Sequence, residues 1–104
     1  MIPHTKKYVV SVDAILEPIF PGFLDIQKRY VNDMQIALNA RDNQELFRLA
    51  HSVRGSAATY QLPDAAAIAH AIELAARENN FDAAVQSLDG LGRYLDTLEI
   101  RFVG

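Results

Sequence analysis

The sequence of 104 residues contains no cysteine, which removes disulfide frameworks, thiolate metal sites and cysteine nucleophiles together. That absence fits a reducing compartment. No uninterrupted apolar run approaches the ~20 residues a membrane helix needs, and the N-terminus lacks the basic-then-apolar plan of a signal peptide. A basic excess is missing as well: ten Lys and Arg stand against thirteen Asp and Glu, for a formal charge of −3. Lys6-Lys7 and Lys28-Arg29 are isolated pairs, not a basic stripe, so nucleic-acid binding is disfavoured. There is no glycine-rich phosphate loop, no nucleophile elbow, no internal repeat and no low-complexity segment.

What remains is a chain half apolar and 22% charged, the balance of a globular protein and too apolar for a disordered one. Its length suits a single domain spanning residues 1–104, which at this size buries roughly two-thirds of the surface of the unfolded chain. The expectation is a cytoplasmic monomer with no membrane segment, and Met1 favours a free-standing protein.

Helical periodicity dominates. Phe20, Phe23, Leu24, Val31, Met34 and Leu38 form one stripe, widened by Ile19, Tyr30 and Ala37. Pro18 and Pro21 stand at its start, where first-turn N–H groups lack partners anyway. A short helical turn over Asp13 to Glu17 precedes it. Asp42 followed by Glu45 resembles a capping box, with aspartate in place of serine or threonine. The second helix carries Leu46, Leu49, Val53, Ala57 and Tyr60, and ends near Gln61 or Leu62 because Pro63 disfavours helical geometry before it. Asp64 is read as the cap of a third helix facing inward with Ala65, Ile68, Ile72 and Ala75. After a break at Asn79-Asn80, the last helix shows Phe81, Val85, Leu88, Leu91 (or Gly92), Leu95, Leu98 and Phe102. Tyr8 to Val12 could be extended but has no evident partner strand. The predicted fold class is all-α: an antiparallel up-down four-helix bundle with a short N-terminal helical turn.

Histidine is the side chain whose ordinary pKa lies nearest neutrality, and the chain has three. His4 lies in a polar stretch and reads as solvated. His70 is two residues from both Ile68 and Ile72, so it points away from the core and reads as a surface histidine. His51 lies nearly opposite the Leu46-Leu49-Val53-Ala57 stripe, on an outer face shared with Phe47, Arg54, Gly55 and Ala58. A mid-helix glycine costs about 0.5–1 kcal/mol relative to alanine. Small residues there would leave the imidazole open to a bulky partner, or Gly55 is a tolerated imperfection beside an ordinary surface histidine. Spacing leaves both readings open.

The run Leu49-Ala50-His51-Ser52-Val53-Arg54-Gly55-Ser56-Ala57 resembles the signature of histidine-containing phosphotransfer (HPt) domains of two-component phosphorelays. Ile72-Glu73-Leu74 resembles the family's following helix, where a glutamine or acidic residue commonly sits. The likeness is motif-specific from Leu49 to about Arg77. Gln61 departs from it, standing where the family usually has glycine, and Arg54 stands where lysine is commoner. The resemblance implies a phosphoryl carrier without its own ATP site, cofactor or metal, serving a response-regulator receiver domain or a hybrid sensor kinase. His51 would be the phosphoacceptor and Arg54 would stabilise the phosphoryl oxygens. Phe47, Gly55 and Ala58 would form the receiver-docking floor.

Glu73 is the candidate for orienting the imidazole, and the alternative is a solvated carboxylate. His51 lies 12 residues before Pro63 and Glu73 lies 10 after it. In an antiparallel pair their heights differ by roughly 3 Å. The competing reading of the whole chain is a non-catalytic helical protein-interaction module with an incidental histidine. A metal-binding bundle is weaker, because His70 and Glu73 have no second pair to complete a ligand set. A hydrolase is weaker still, because Ser52 and His51, adjacent on a helix, do not face each other.

Overall fold

The computed structural model describes residues 8–104. His4 and the Lys6-Lys7 pair lie outside the described residues. Strand β1 (Tyr8–Asp13) leads into a 3-10 helix (Ala14–Ile19) and then helix α1 (Phe20–Asn39). Helices α2 (Asn43–Thr59), α3 (Pro63–Arg77) and α4 (Phe81–Thr97) follow, and the chain closes with strand β2 (Leu98–Val103). α1 packs on both α2 and α4, while α3 lies against α2 and α4, so the four helices share one core.

The three helix-to-helix links are built alike. Each uses one left-handed residue: Arg41 (φ 57°), Gln61 (φ 67°) and Asn79 (φ 54°). The residue after it sends its N–H back to the preceding helix, from Asp42 to Ala37, Leu62 to Ala57 and Asn80 to Ala75, satisfying carbonyls that helix ends leave free. Gln61 thus adopts the backbone conformation that glycine favours. Its side chain gives something back, because Gln61 Oε1 accepts the N–H of Asp13 at 2.9 Å.

The next helices then begin at once. Asp42 caps α2 by accepting from the Glu45 N–H at 3.1 Å, as its position predicted, although the Glu45 carboxylate turns to Arg48 instead of closing the box. Asn80 caps α4 in the same way through Ala83. Asp64 is not the cap of α3. The helix starts at Pro63 with Leu62 as its cap residue, and Asp64 lies in the first turn, where its charge complements the helix dipole.

The ends of the chain depart from an all-α expectation. β1 and β2 pair in parallel, Tyr8 with Leu98 through Asp13 with Val103. The last helix therefore stops at Thr97, and Leu98 and Phe102 belong to a strand. Residues four apart fit both a helical stripe and strict alternation, so their spacing could not decide. A partner strand with Val12 fully buried decided it. Phe102 packs on Phe20, edge to face at 5.6 Å, and so ties the small sheet to α1. The expected turn is present, lengthened to a 3-10 helix over Ala14–Ile19 in which the Ile15 N–H donates to the Asp13 carboxylate at 3.0 Å.

The core holds most of the expected stripes, with instructive exceptions. Gln27 and Tyr94 are buried, whereas Ile19 stays half exposed, and Phe81 and Val85 lie on the rim. The Arg41 guanidinium covers the Phe81 ring at 3.6 Å, an attractive cation–π contact. Gln27 Nε2 donates to Ser56 Oγ at 3.1 Å, a polar tie between α1 and α2. Phe23 stacks on Tyr60 with ring centres 4.1 Å apart, which fixes the end of α2 against α1.

Candidate functional site

α2 presents His51 outward because Leu49, Ala50, Val53 and Ala57 are all buried on its other side. The His51 side chain is 68% exposed. Across the α2–α3 seam stands Glu73, whose side chain is only 4% exposed, so it is not a solvated carboxylate. His51 Nδ1 lies 3.1 Å from Glu73 Oε2, and Arg54 Nη1 donates to Glu73 Oε1 at 3.0 Å. Burial alone would raise the Glu73 pKa. Hydrogen bonds from His51 and Arg54, and the charges of both, outweigh it and hold the carboxyl below its ordinary value.

Those contacts fix the chemistry of the ring. An ionised carboxylate can only accept, so the His51 nitrogen facing Glu73 carries the proton. In the neutral ring the lone pair is then on Nε2, which has no hydrogen bond among the described residues. The Phe47 ring lies parallel to the imidazole at 6.2 Å, and the Arg77 guanidinium carbon sits 5.2 Å from the centre of Phe47. Gly55 and Ala58 are exposed on the same side of α2, and a Cβ placed on Gly55 would meet nothing within 4 Å. A shallow groove of about 470 Å³, lined by Phe47, Arg48, His51 and Ser52 among others, runs beside the imidazole.

Two parts of this neighbourhood were not foreseen. His70 does not simply face water: half exposed, it places Nδ1 2.9 Å from Arg54 Nη1 and 3.9 Å from Glu73 Oε1. The count that paired His51 with Glu73 would have found it, since Arg54 lies 9 residues before Pro63 and His70 lies 7 after. The second is a groove of about 540 Å³ between α1 and α2, lined by Ile19, Gly22, Phe23, Ile26, Ser56 and Tyr60 among others. Ile19 and Ile26 in its wall are exposed. The stripe read into α1 took in Ile19 and left Ile26 outside it, and periodicity alone does not show that a groove forms between them and α2.

Although His51, His70 and Glu73 converge, the described residues contain no group of three or more His, Cys, Asp or Glu side chains arranged to hold a metal ion. Among the described residues no helix is long and apolar enough to cross a membrane.

The family model of the Hpt domain matches residues 22–100, most of the chain. This chain belongs to the Hpt domain family. Neither the curated proteins nor the solved structures yielded a significant match. Hpt domains are phosphoryl carriers rather than catalysts, and they work with receiver and kinase domains in two-component phosphorelays.

Proposed function

We propose that this chain takes a phosphoryl group onto Nε2 of His51 from the aspartyl phosphate of a receiver domain, and returns it to a receiver aspartate. The observation that carries the reading is the Glu73 hydrogen bond to Nδ1, which leaves the lone pair on the nitrogen of an exposed ring edge. In the forward step the Nε2 lone pair forms the N–P bond while the P–O bond to the aspartate breaks. The aspartate leaves as a carboxylate, and no proton need move. The ring becomes cationic, with its Nδ1–H still on Glu73, whose negative charge offsets it. Arg54, on a long side chain 44% exposed, turns from Glu73 toward the phosphoryl oxygens as their stabilising cation.

In this reading Phe47, Gly55 and Ala58 form the docking floor for the receiver, and the α1–α2 groove extends it. The chain acts as one domain of four helices alternating in direction, a carrier without its own ATP site that works in the cytoplasm as a monomer. The test is transfer from a phosphorylated receiver domain to wild type and to His51→Gln, followed by phosphorus NMR. An acid-labile, alkali-stable phosphohistidine in the wild type alone is expected, with identical circular-dichroism spectra for both proteins. Phosphorylation of His51→Gln would remove His51 from its role. No uptake from a broad panel of receivers would favour a helical interaction module.

A further inference from the structure

Arg54 has two side-chain partners, and neither is Nε2 of His51. One Nη1 group donates to Glu73 Oε1 at 3.0 Å and to His70 Nδ1 at 2.9 Å. Because a guanidinium can only donate, His70 must offer a lone pair at Nδ1 and carry its proton on Nε2. The two imidazoles of the site therefore hold opposite tautomers. His51 is protonated on the nitrogen nearest the cluster, and His70 on the nitrogen farther from it. His70 is consequently no competing phosphoacceptor: its one free lone pair is occupied by Arg54.

We infer that His70 is a positioning residue that, with Glu73, holds Arg54 in a parked position in the unphosphorylated protein and so sets how tightly His51 keeps its phosphoryl group. The inference rests on the phosphotransfer reading and deepens it. In this inference Arg54 gives up both Nη1 bonds when it turns to phosphoryl oxygens on Nε2, so every bond made in the parked position opposes phosphorylation. Once phosphorylated, the cationic imidazole satisfies Glu73 by itself, which weakens one of the two ties. The cationic ring does nothing to weaken the bond to His70, so Arg54 has to break that bond outright to reach the phosphoryl group. A ligand shifts an equilibrium only by its differential interaction with the two states, and His70 contributes to one state alone.

Two measurements test this. In a long-range proton–nitrogen correlation spectrum of the unphosphorylated, nitrogen-15-labelled protein at mildly alkaline pH, His70 is expected with its proton on Nε2 and His51 with its proton on Nδ1. A His70 protonated on Nδ1 overturns the inference. The second measurement is the equilibrium partition of phosphoryl groups between the protein and a receiver domain. His70→Leu removes the acceptor and is expected to raise the equilibrium constant for phosphorylation by about threefold to tenfold, the worth of one ordinary hydrogen bond between half-exposed side chains. His70→Asn, whose Oδ1 occupies the place of Nδ1, is expected to restore the wild-type partition. An unchanged or lowered constant in His70→Leu, or His70→Asn behaving like His70→Leu, overturns it. A wild type that takes up no phosphoryl group removes the carrier reading itself, a result distinct from normal uptake that His70→Leu leaves unaltered.

Discussion

Replacing Glu73 by glutamine tests the electrostatics of the site most directly. The buried carboxylate offers acceptors to two donors, His51 Nδ1–H at 3.1 Å and Arg54 Nη1–H at 3.0 Å. Glutamine keeps one acceptor and puts an NH2 group where the other stood. If its oxygen serves His51, its nitrogen meets Arg54 donor to donor, and the guanidinium is released. A hydrogen bond to a charged group is worth about 1.5–3 kcal/mol when fully made. Arg54 is 44% exposed and rehydrates on release, so the expected loss is about 1–1.5 kcal/mol. For a domain of this size that lowers Tm by about 4–12 °C.

The same substitution carries a pH signature. The folded-state pKa of Glu73 lies below its unfolded value of about 4.3, so the unfolded chain binds the proton more readily. The stability this group supplies is fully present above the unfolded pKa and disappears as pH falls through the folded one. Thermal melts by circular dichroism should therefore show the full Glu73→Gln deficit at neutral pH and a shrinking one below about pH 4. A double-mutant cycle with Arg54→Met should return a coupling of about 1 kcal/mol at neutral pH. A deficit of equal size throughout the acid range, or none at neutral pH, would refute the assignment of Glu73 as an ionised hub.

Gly55→Gln should leave folding intact or stabilise it by up to about 0.5–1 kcal/mol, since a Cβ there meets nothing and glycine is a poor helix former. Transfer from a receiver should nevertheless slow, and undiminished transfer would remove the open face from the docking argument. Gln61→Ala should cost about 1 kcal/mol by losing the bond to the Asp13 N–H while keeping the left-handed backbone, whereas Gln61→Gly should cost less because it relieves that conformation. Urea unfolding distinguishes them, and a glycine variant less stable than the alanine one contradicts the account. Tyr94 is fully buried, and its hydroxyl, without a partner among the described residues, is pushed up to about 12, first by burial and then by the charges of Asp64 and Tyr8. Its stabilising contribution is complete below the unfolded value of about 10 and is lost as pH rises toward 12. An ultraviolet titration should show one tyrosine ionising late, and Tyr94→Phe should abolish that step at little cost at neutral pH.

The helices and the motif were legible from the chain because they rest on short-range regularities. A 3.6-residue period placed the buried faces of α2 and α3 on Leu46, Leu49, Val53, Ile72 and Ala75, and left His51 and Gly55 on the outside. Asp42 could be read as a cap because capping joins residues three apart. The pairing of His51 with Glu73 followed from counting along two helices from one proline.

Tertiary structure decided what depends on residues distant in sequence or on two compatible periods. Leu98 to Val103 became a strand only because Tyr8 to Asp13, some ninety residues earlier, supplied hydrogen-bond partners. Glu73 was an even choice between solvent and site until the packing of α2 on α3 buried it between two donors. His70 carries the plainest lesson. Its own helix directs it away from Ile68 and Ile72, yet its side chain is only half exposed and its Nδ1 receives an arginine of the neighbouring helix. A helical wheel knows only inside and outside; the seam between two helices, where this site is built, exists only once they pack.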